Sequence, residues 1–341
     1  MTAPADAPVV VGIDDSSLSL AAVRLAAQEA AAQHRPLTVL HAFNWAAVET
    51  EPGGRLPREA AEELIDRAVA TASEIAPDLA VHGELAEGPA VASLVRHSER
   101  AALVALGDGD LAGCGCVPWD APAVQVAARA GSPVLVVRRT PPPADGPVLV
   151  GVDGSSSADA ALAYAFDCAD RRHTELLVVR VTDPDRRDGD LVDRLAEDVA
   201  RWHGGYPGVP VRQEVLAGEA SQVLLDRSRA AALAVVGARG SDPTRGMLGE
   251  VSQSLLYHSP APVIVVRAHA VSRRARRPGG AAHGPDASVD RLGAMDRPDA
   301  SVDRLGAAHG PDASGGRSGG SQGQRAPSIR QEAPRGRDQR P

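Results

Sequence analysis

The chain contains one unit twice, and this limits its folds more than any other feature. VVVGIDDSSLSLAAVRLA at 9–26 aligns with VLVGVDGSSSADAALAYA at 148–165, an offset of 139. PLTVLHA at 36–42 aligns with ELLVVRV at 175–181 at the same offset. VALGDGD at 104–110 then matches AVVGARG at 234–240 at offset 130, and SPVLVVR at 132–138 matches APVIVVR at 261–267 at offset 129. Four blocks in one order mean an internal duplication. A plain linker, TPPPADGP at 140–147, separates the copies. The predicted domains are therefore residues 8–139 and 147–268.

Within each copy, short apolar, β-branched runs alternate with helical patterns. The runs are 9–13, 37–40, 103–106 and 134–137, then 148–152, 176–181, 233–236 and 263–266. They are apolar on both faces, as strands of a covered parallel sheet are. Helical patterns fill 20–33, 58–75, 90–100, 191–202 and 220–229, and Ser16, Ser17 and Ser19 are candidate caps for the first. This alternation predicts an α/β fold, two tandem open parallel sheets with helices on both faces. Such sheets bind ligands beyond the carboxyl ends of their strands, where the strand order reverses.

Composition removes several function classes. All 36 basic residues are Arg, so a phosphate loop ending in Gly-Lys-Ser/Thr and lysine-based catalysis are both excluded. Residues 270–341 are rich in Gly and Pro, carry a 13-residue repeat (PDASVDRLGA at 285–294 and 298–307), and are predicted to be a disordered tail. That tail holds 13 Arg against 8 acids, while the body holds 23 Arg against 36 acids. An acidic body repels phosphate backbones, which argues against nucleic acid as a partner. No apolar run approaches membrane-spanning length, no secretory pattern opens the chain, and three cysteines make no disulfide framework, so a cytoplasmic protein is expected.

The candidate chemistry gathers in the second copy. Asp153 ends the first strand and is followed by Gly154 and three serines. Gly237, Ala238, Arg239 and Gly240 follow the fourth strand, and Gly249, Glu250, Val251 and Ser252 open an apolar helix. Glycines let backbone approach a ligand, and a helix N-terminus offers N–H groups and a positive dipole end to an anion. A carboxylate at the strand end can select an amino-bearing base. A tight turn at Gly237 and Gly240 is the simpler alternative.

In this arrangement, V-x-V-G-V-D-G-S, V-V-G-x-R-G, G-x-V-S-Q and P-V-x-V-V in order, the chain resembles the universal stress protein family, as a tandem pair over about residues 8–267. The resemblance implies a Rossmann-like sheet of five parallel strands in each copy, order 3-2-1-4-5, of the adenine nucleotide alpha-hydrolase-like kind. It implies pairing through the last strands, so that the tandem chain is an internal pseudo-dimer, with a homodimer as a further assembly. It implies a regulatory protein of stress survival, not an enzyme, with ATP or another adenine nucleotide as ligand and no metal. Asp153 and Val181 would face adenine and ribose, and Gly237, Gly240, Gly249 and Ser252 the phosphates.

Two departures bear on that ligand. The family has nine residues between its second and third glycines, whereas eight lie between Gly240 and Gly249, and Glu250 stands where the family has Ser or Thr. A like-charge pair at about 4 Å costs on the order of 1 kcal/mol in water and about 4 near a partly buried surface. Triphosphate binding is expected to weaken, and AMP or a cyclic nucleotide to suffer less. The first copy departs further. Asp14, Ala42 and Gly107 keep their places, but Asp110 replaces the second glycine and Asp120-Ala121 replaces Gly-Ser. Carboxylates at Asp108, Asp110 and Asp120 are expected to repel an anion there, making this a degenerate site. Cys114 and Cys116 in the same loop are candidate redox thiols, while Cys168, the histidines and the tryptophans read as packing. The competing function is a nucleotide-independent scaffold that recruits an unknown protein partner.

Overall fold

The apolar runs become strands in alternation with helices. The first copy is β1 (Val9–Ile13), α1 (Ser17–Ala32), β2 (Leu37–Phe43), α2 (Pro57–Ile75), β3 (Val81–Glu87), α3 (Ala90–Ser98), β4 (Leu103–Gly107), α4 (Pro122–Arg129) and β5 (Val134–Val137). The second is β6 (Val148–Val152), α5 (Ser156–Arg172), β7 (Leu176–Thr182), α6 (Leu191–His203), β8 (Val211–Ala217), α7 (Ala220–Ser228), β9 (Leu233–Gly237), α8 (Glu250–His258) and β10 (Val263–Val266). The computed structural model describes residues 6–43, 57–109, 121–183, 190–239 and 248–268, all within one compact unit. The expectations for residues 270–341, for Gly240, Asp110, Asp120, Cys114 and Cys116, and for Trp45 and Trp119, fall outside the described residues.

Each copy is a parallel sheet of order 3-2-1-4-5, as the resemblance implies, and the two run on as one sheet of ten strands, β3-β2-β1-β4-β5-β10-β9-β6-β7-β8. The join is β5 against β10, antiparallel, with Val263 opposite Val136, Ile264 opposite Leu135 and Val265 opposite Val134. This is the expected intrachain pseudo-dimer, sealed by side chains that are almost fully buried. Alternation along each strand sends successive residues to opposite faces. Val9, Val11 and Ile13 belong to the core layer that includes residues of α1, α2, α5 and α6, whereas Val10 belongs to the layer that includes residues of α3, α4, α7 and α8.

β3, β8 and α4 were not read from residue patterns, and α5 follows only from the alignment of 148–165 with 9–26. β3 and β8 are the outer edges of the sheet, and their mixed polar and half-buried residues blur the apolar signal that marks the other strands. α4 is short and begins at Pro122. Among the packing residues, Cys168 is fully buried on α5, and burial pushes its thiol up to about 12. His34 and His173, 139 apart, both take left-handed backbone at the ends of α1 and α5 (φ 52° and 51°). Trp202 packs against the core and donates from Nε1 to Asp159 at 3.1 Å.

A buried charge cluster also ties the copies together. Glu29 of α1 accepts from Arg172 of α5 at 2.5 Å and lies 3.6 Å from Arg171, with its side chain only 4% exposed. Burial raises its carboxyl pKa, but the charges of Arg172 and Arg171, with hydrogen bonds from Arg172 and Gln33, outweigh this and hold it below the usual range.

Candidate functional site

At the carboxyl ends of β6 and β9 a cavity of about 160 Å³ opens on the face covered by α7 and α8. Its floor is apolar: Val152, Ala158, Val179, Val181, Leu224 and Val236. Its polar rim holds Asp153, Arg239 and Glu250. The place follows from topology, since β6 has β7 on one side and β9 on the other, and the crossovers leave in opposite directions. The cavity is below the roughly 300–1,000 Å³ of a typical small-molecule site, and residues 240–247, next to it in sequence, lie outside the described residues.

Eight of the ten residues expected in the second copy meet in this cavity: Asp153, Val181, Gly237, Arg239, Gly249, Glu250, Val251 and Ser252. Gly154 instead lines a second cavity of about 210 Å³ with Asp159, Asp198 and Arg201. Its φ of +83° is one that glycine adopts without cost, which lets the chain turn from β6 into α5. Asp153 accepts from the N–H of Ser155 at 2.9 Å, in an Asx turn. Ser155 in turn caps α5, its hydroxyl accepting from Ala158 N–H at 3.1 Å.

α8 presents its N-terminus to the cavity. Its capping residue is Gly249, which has no side chain to hydrogen-bond the first-turn N–H groups. These groups and the helix dipole favour an anion. Glu250, in that first turn, is exposed at the rim. Ser252 also lines the cavity, but its side chain is buried and its hydroxyl donates to the Gly237 carbonyl at 2.6 Å. That hydroxyl fastens α8 to β9. Gly237 answers to packing as well, since a Cβ there would lie 2.6 Å from Ser157 Oγ and 2.8 Å from Ser157 backbone. The close approach of α5 to β9 requires glycine whether or not a phosphate is present.

The first copy has the same plan with different contacts. Asp14, at the end of β1, accepts from the hydroxyls of Ser16 and Ser19, both at 2.5 Å, and from Ser16 N–H at 3.0 Å. Burial raises its carboxyl pKa, but these hydrogen bonds outweigh it and hold it below the usual value. Ala42 lies on β2 and Gly107 ends β4. Ala121 caps α4 and Pro122 is its first residue, so this N-terminus lacks one N–H donor. Asp108 departs from expectation. Its carboxylate does not face a phosphate site; it is 2% exposed and accepts from Arg138 at 3.2 Å, because a buried carboxylate needs a charged partner.

Pattern reading missed the cavity floor apart from Val181. Val179 is two residues before Val181 on β7, hence on the same face, and Ala220 and Leu224 lie four apart on α7. Gly151 is close-packed, since a Cβ there would meet Leu224 Cδ1 at 2.6 Å.

The sequence pattern of the universal stress protein family matches residues 7–138 and again 146–267. The chain belongs to the universal stress protein family. A universal stress protein of Mycobacterium tuberculosis is 35% identical over 287 residues, covering 76% of this chain and 96% of the relative. Another from Mycolicibacterium smegmatis is 31% identical over 283 residues, with the same coverage. Among solved structures, a universal stress protein from Archaeoglobus fulgidus shares the fold, with TM-score 0.59, 21% identity, and 76% and 96% of the two chains covered. Among the described residues of this universal stress protein, no helix is long and apolar enough to cross a membrane, and no group of three or more His, Cys, Asp or Glu could hold a metal.

Proposed function

We propose that the second copy binds an adenine nucleotide in the β6/β9 cavity and that the chain is a cytoplasmic, nucleotide-responsive regulatory module of stress physiology. One observation carries this reading: Asp153 and the uncapped N-terminus of α8 both border a single apolar slot. A planar base fits apolar walls, an acceptor such as Asp153 suits its amino group, and helix N–H groups suit a phosphate. Glu250 competes for those N–H groups, so the ligand carries little phosphate charge, AMP or a cyclic nucleotide in preference to ATP. The first copy does not bind, because its acceptor is held by two serine hydroxyls and its α4 begins at proline.

Mass spectrometry of the small molecules released from purified full-length protein tests this. The expected result is an adenine nucleotide, lost from Asp153→Ala. A second reading, a scaffold that works without nucleotide and recruits a protein partner, is favoured by the Glu250 carboxylate at the helix N-terminus and the committed Ser252 hydroxyl. It prevails if nothing is released and neither AMP nor ATP binds in calorimetry.

A further inference from the structure

The C-terminal end of α8, remote from the cavity, is held by the other copy. Arg138, which follows β5 in the first copy, donates from Nη2 to the carbonyls of Leu255 at 2.7 Å and Leu256 at 2.6 Å. These are among the last carbonyls of α8; Leu255 also accepts from the N–H of the capping residue Ser259, at 3.0 Å. The Arg138 side chain is 3% exposed, and Nη1 donates to Asp108 at 3.2 Å. One buried guanidinium thus joins the tip of β4 in the first copy to the last turn of the helix whose first turn lines the cavity in the second. A cation at a helix C-terminus also complements the dipole.

The reciprocal contact exists and differs. Arg267, which follows β10 and corresponds to Arg138, donates to a single carbonyl, Ala128, at the end of α4. The position of Asp108 is taken in the second copy by Ala238. Arg267 is therefore without the matching carboxylate, and is only partly buried where Arg138 is almost wholly so. The carboxylate supports only the arginine that grips the cavity helix. α8 spans nine residues, and Ser252 fixes its first turn to Gly237 while Arg138 fixes its last. Between two such anchors the helix has little freedom to shift along its axis, so the position of its N–H groups depends on both.

We infer that Asp108 and Arg138 of the first copy are positioning residues for the cavity of the second: the degenerate copy works by orienting α8 through this clamp. The part of the inference that concerns ligand affinity rests on the proposed nucleotide site; the clamp itself does not.

Hydrogen–deuterium exchange of the full-length, ligand-free protein tests the clamp. Asp108→Ala copies the residue present at the equivalent place in the second copy. It is expected to speed exchange of the last-turn amides of α8 by about tenfold while α4 changes by less than about twofold. Arg267→Gln is expected to do the reverse. Asp108→Asn, which keeps an oxygen facing Arg138, is expected to return α8 to within about threefold of the parent. Unchanged α8 exchange in Asp108→Ala, equal acceleration in α4 and α8, or an Asn variant as fast as the Ala one would each overturn the clamp. If Asp108→Ala does not fold, Arg138→Gln takes its place with the same expectations for α8 and α4. Calorimetry with AMP on the same variants reads the second part, with a loss of affinity of about threefold or more expected for Asp108→Ala. An unchanged AMP affinity in a variant with loosened α8 overturns the positioning role. A parent that binds no AMP, with α8 loosened, overturns the nucleotide reading and leaves the clamp standing.

Discussion

Asp14 and Asp153 stand at the same place in the two copies, at the end of the first strand, but their neighbours differ. Asp14 is gripped by Ser16 and Ser19; the corresponding residues in the second copy are Ser155 and Ala158. Ser155 turns its hydroxyl to cap α5, and Ala158 has none and lines the cavity instead. The next difference lies at the last helix. Pro122 begins α4, where α8 has Glu250 and Val251 with their N–H groups. A third lies at Asp108 against Ala238, with the carboxylate drawn inward to Arg138. Three local changes distinguish the two copies of a shared fold, without altering strand order or register. The lesson is that two copies of one strand order can differ in the hydrogen-bond donors and acceptors they present at the same place.

The largest expected effect tests what unites the copies. Glu29 corresponds to Cys168 in the second copy, and only Glu29 bridges to the other half. Glu29→Ala leaves Arg171 and Arg172 without that carboxylate and is expected to cost about 3–5 kcal/mol in urea unfolding, as removing one member of a buried ion pair does. Cys168→Ala is expected to cost about 1 kcal/mol in the same measurement, as an ordinary buried side-chain truncation does.

The acceptors come next. Asp153→Ala is expected to weaken AMP binding by roughly tenfold to a hundredfold, equivalent to about 1.5–3 kcal/mol for a hydrogen bond to a charged group. Asp14→Ala is expected to leave binding unchanged. Calorimetry on the two variants checks both, and equal losses would erase the distinction between the copies.

Glu250→Ser is expected to strengthen ATP binding by about fivefold, close to the 1 kcal/mol of one like-charge pair in water, with a smaller gain for AMP. A competition titration with a fluorescent nucleotide measures the difference, and equal gains for both ligands would remove charge repulsion as the reason.

The smallest expected effect is in acid. The Glu29 carboxyl is held below its ordinary 4.5, so the folded state binds its proton less readily than the unfolded chain. Its contribution to stability is complete above that value and is lost as pH falls through the lowered one. Unfolding free energy is expected to be level from pH 7 to about 5 and to decline below, with a shallower decline in Glu29→Gln. Denaturant titrations between pH 3 and 7 follow this.

Much of the fold was legible because apolar runs in a covered parallel sheet are nearly continuous, as in VLVGV and LAVVG. β3 and β8 were not, because an edge strand mixes polar and apolar residues. At the site, repeated motifs identified eight of the cavity's residues, including Asp153 and Gly249. What they did not give was direction. Asp108 sits beside Gly107 in the glycine-containing loop, yet its side chain turns inward to an arginine 30 residues away. The contacts from Arg138 to α8 span 117 and 118 residues and cross from one copy to the other, beyond the reach of any local pattern. The packing role of Gly237 was equally hidden, since the motif that suggests phosphate also meets the packing demand of Ser157.

The central claim is that one copy holds nucleotide and the other supports it. Isothermal titration of the full-length protein with AMP, after removal of any bound nucleotide, tests it most directly. One nucleotide per chain, abolished by Asp153→Ala and retained in Asp14→Ala, is the expected result. Two per chain, none, or one that survives Asp153→Ala and disappears in Asp14→Ala would contradict it.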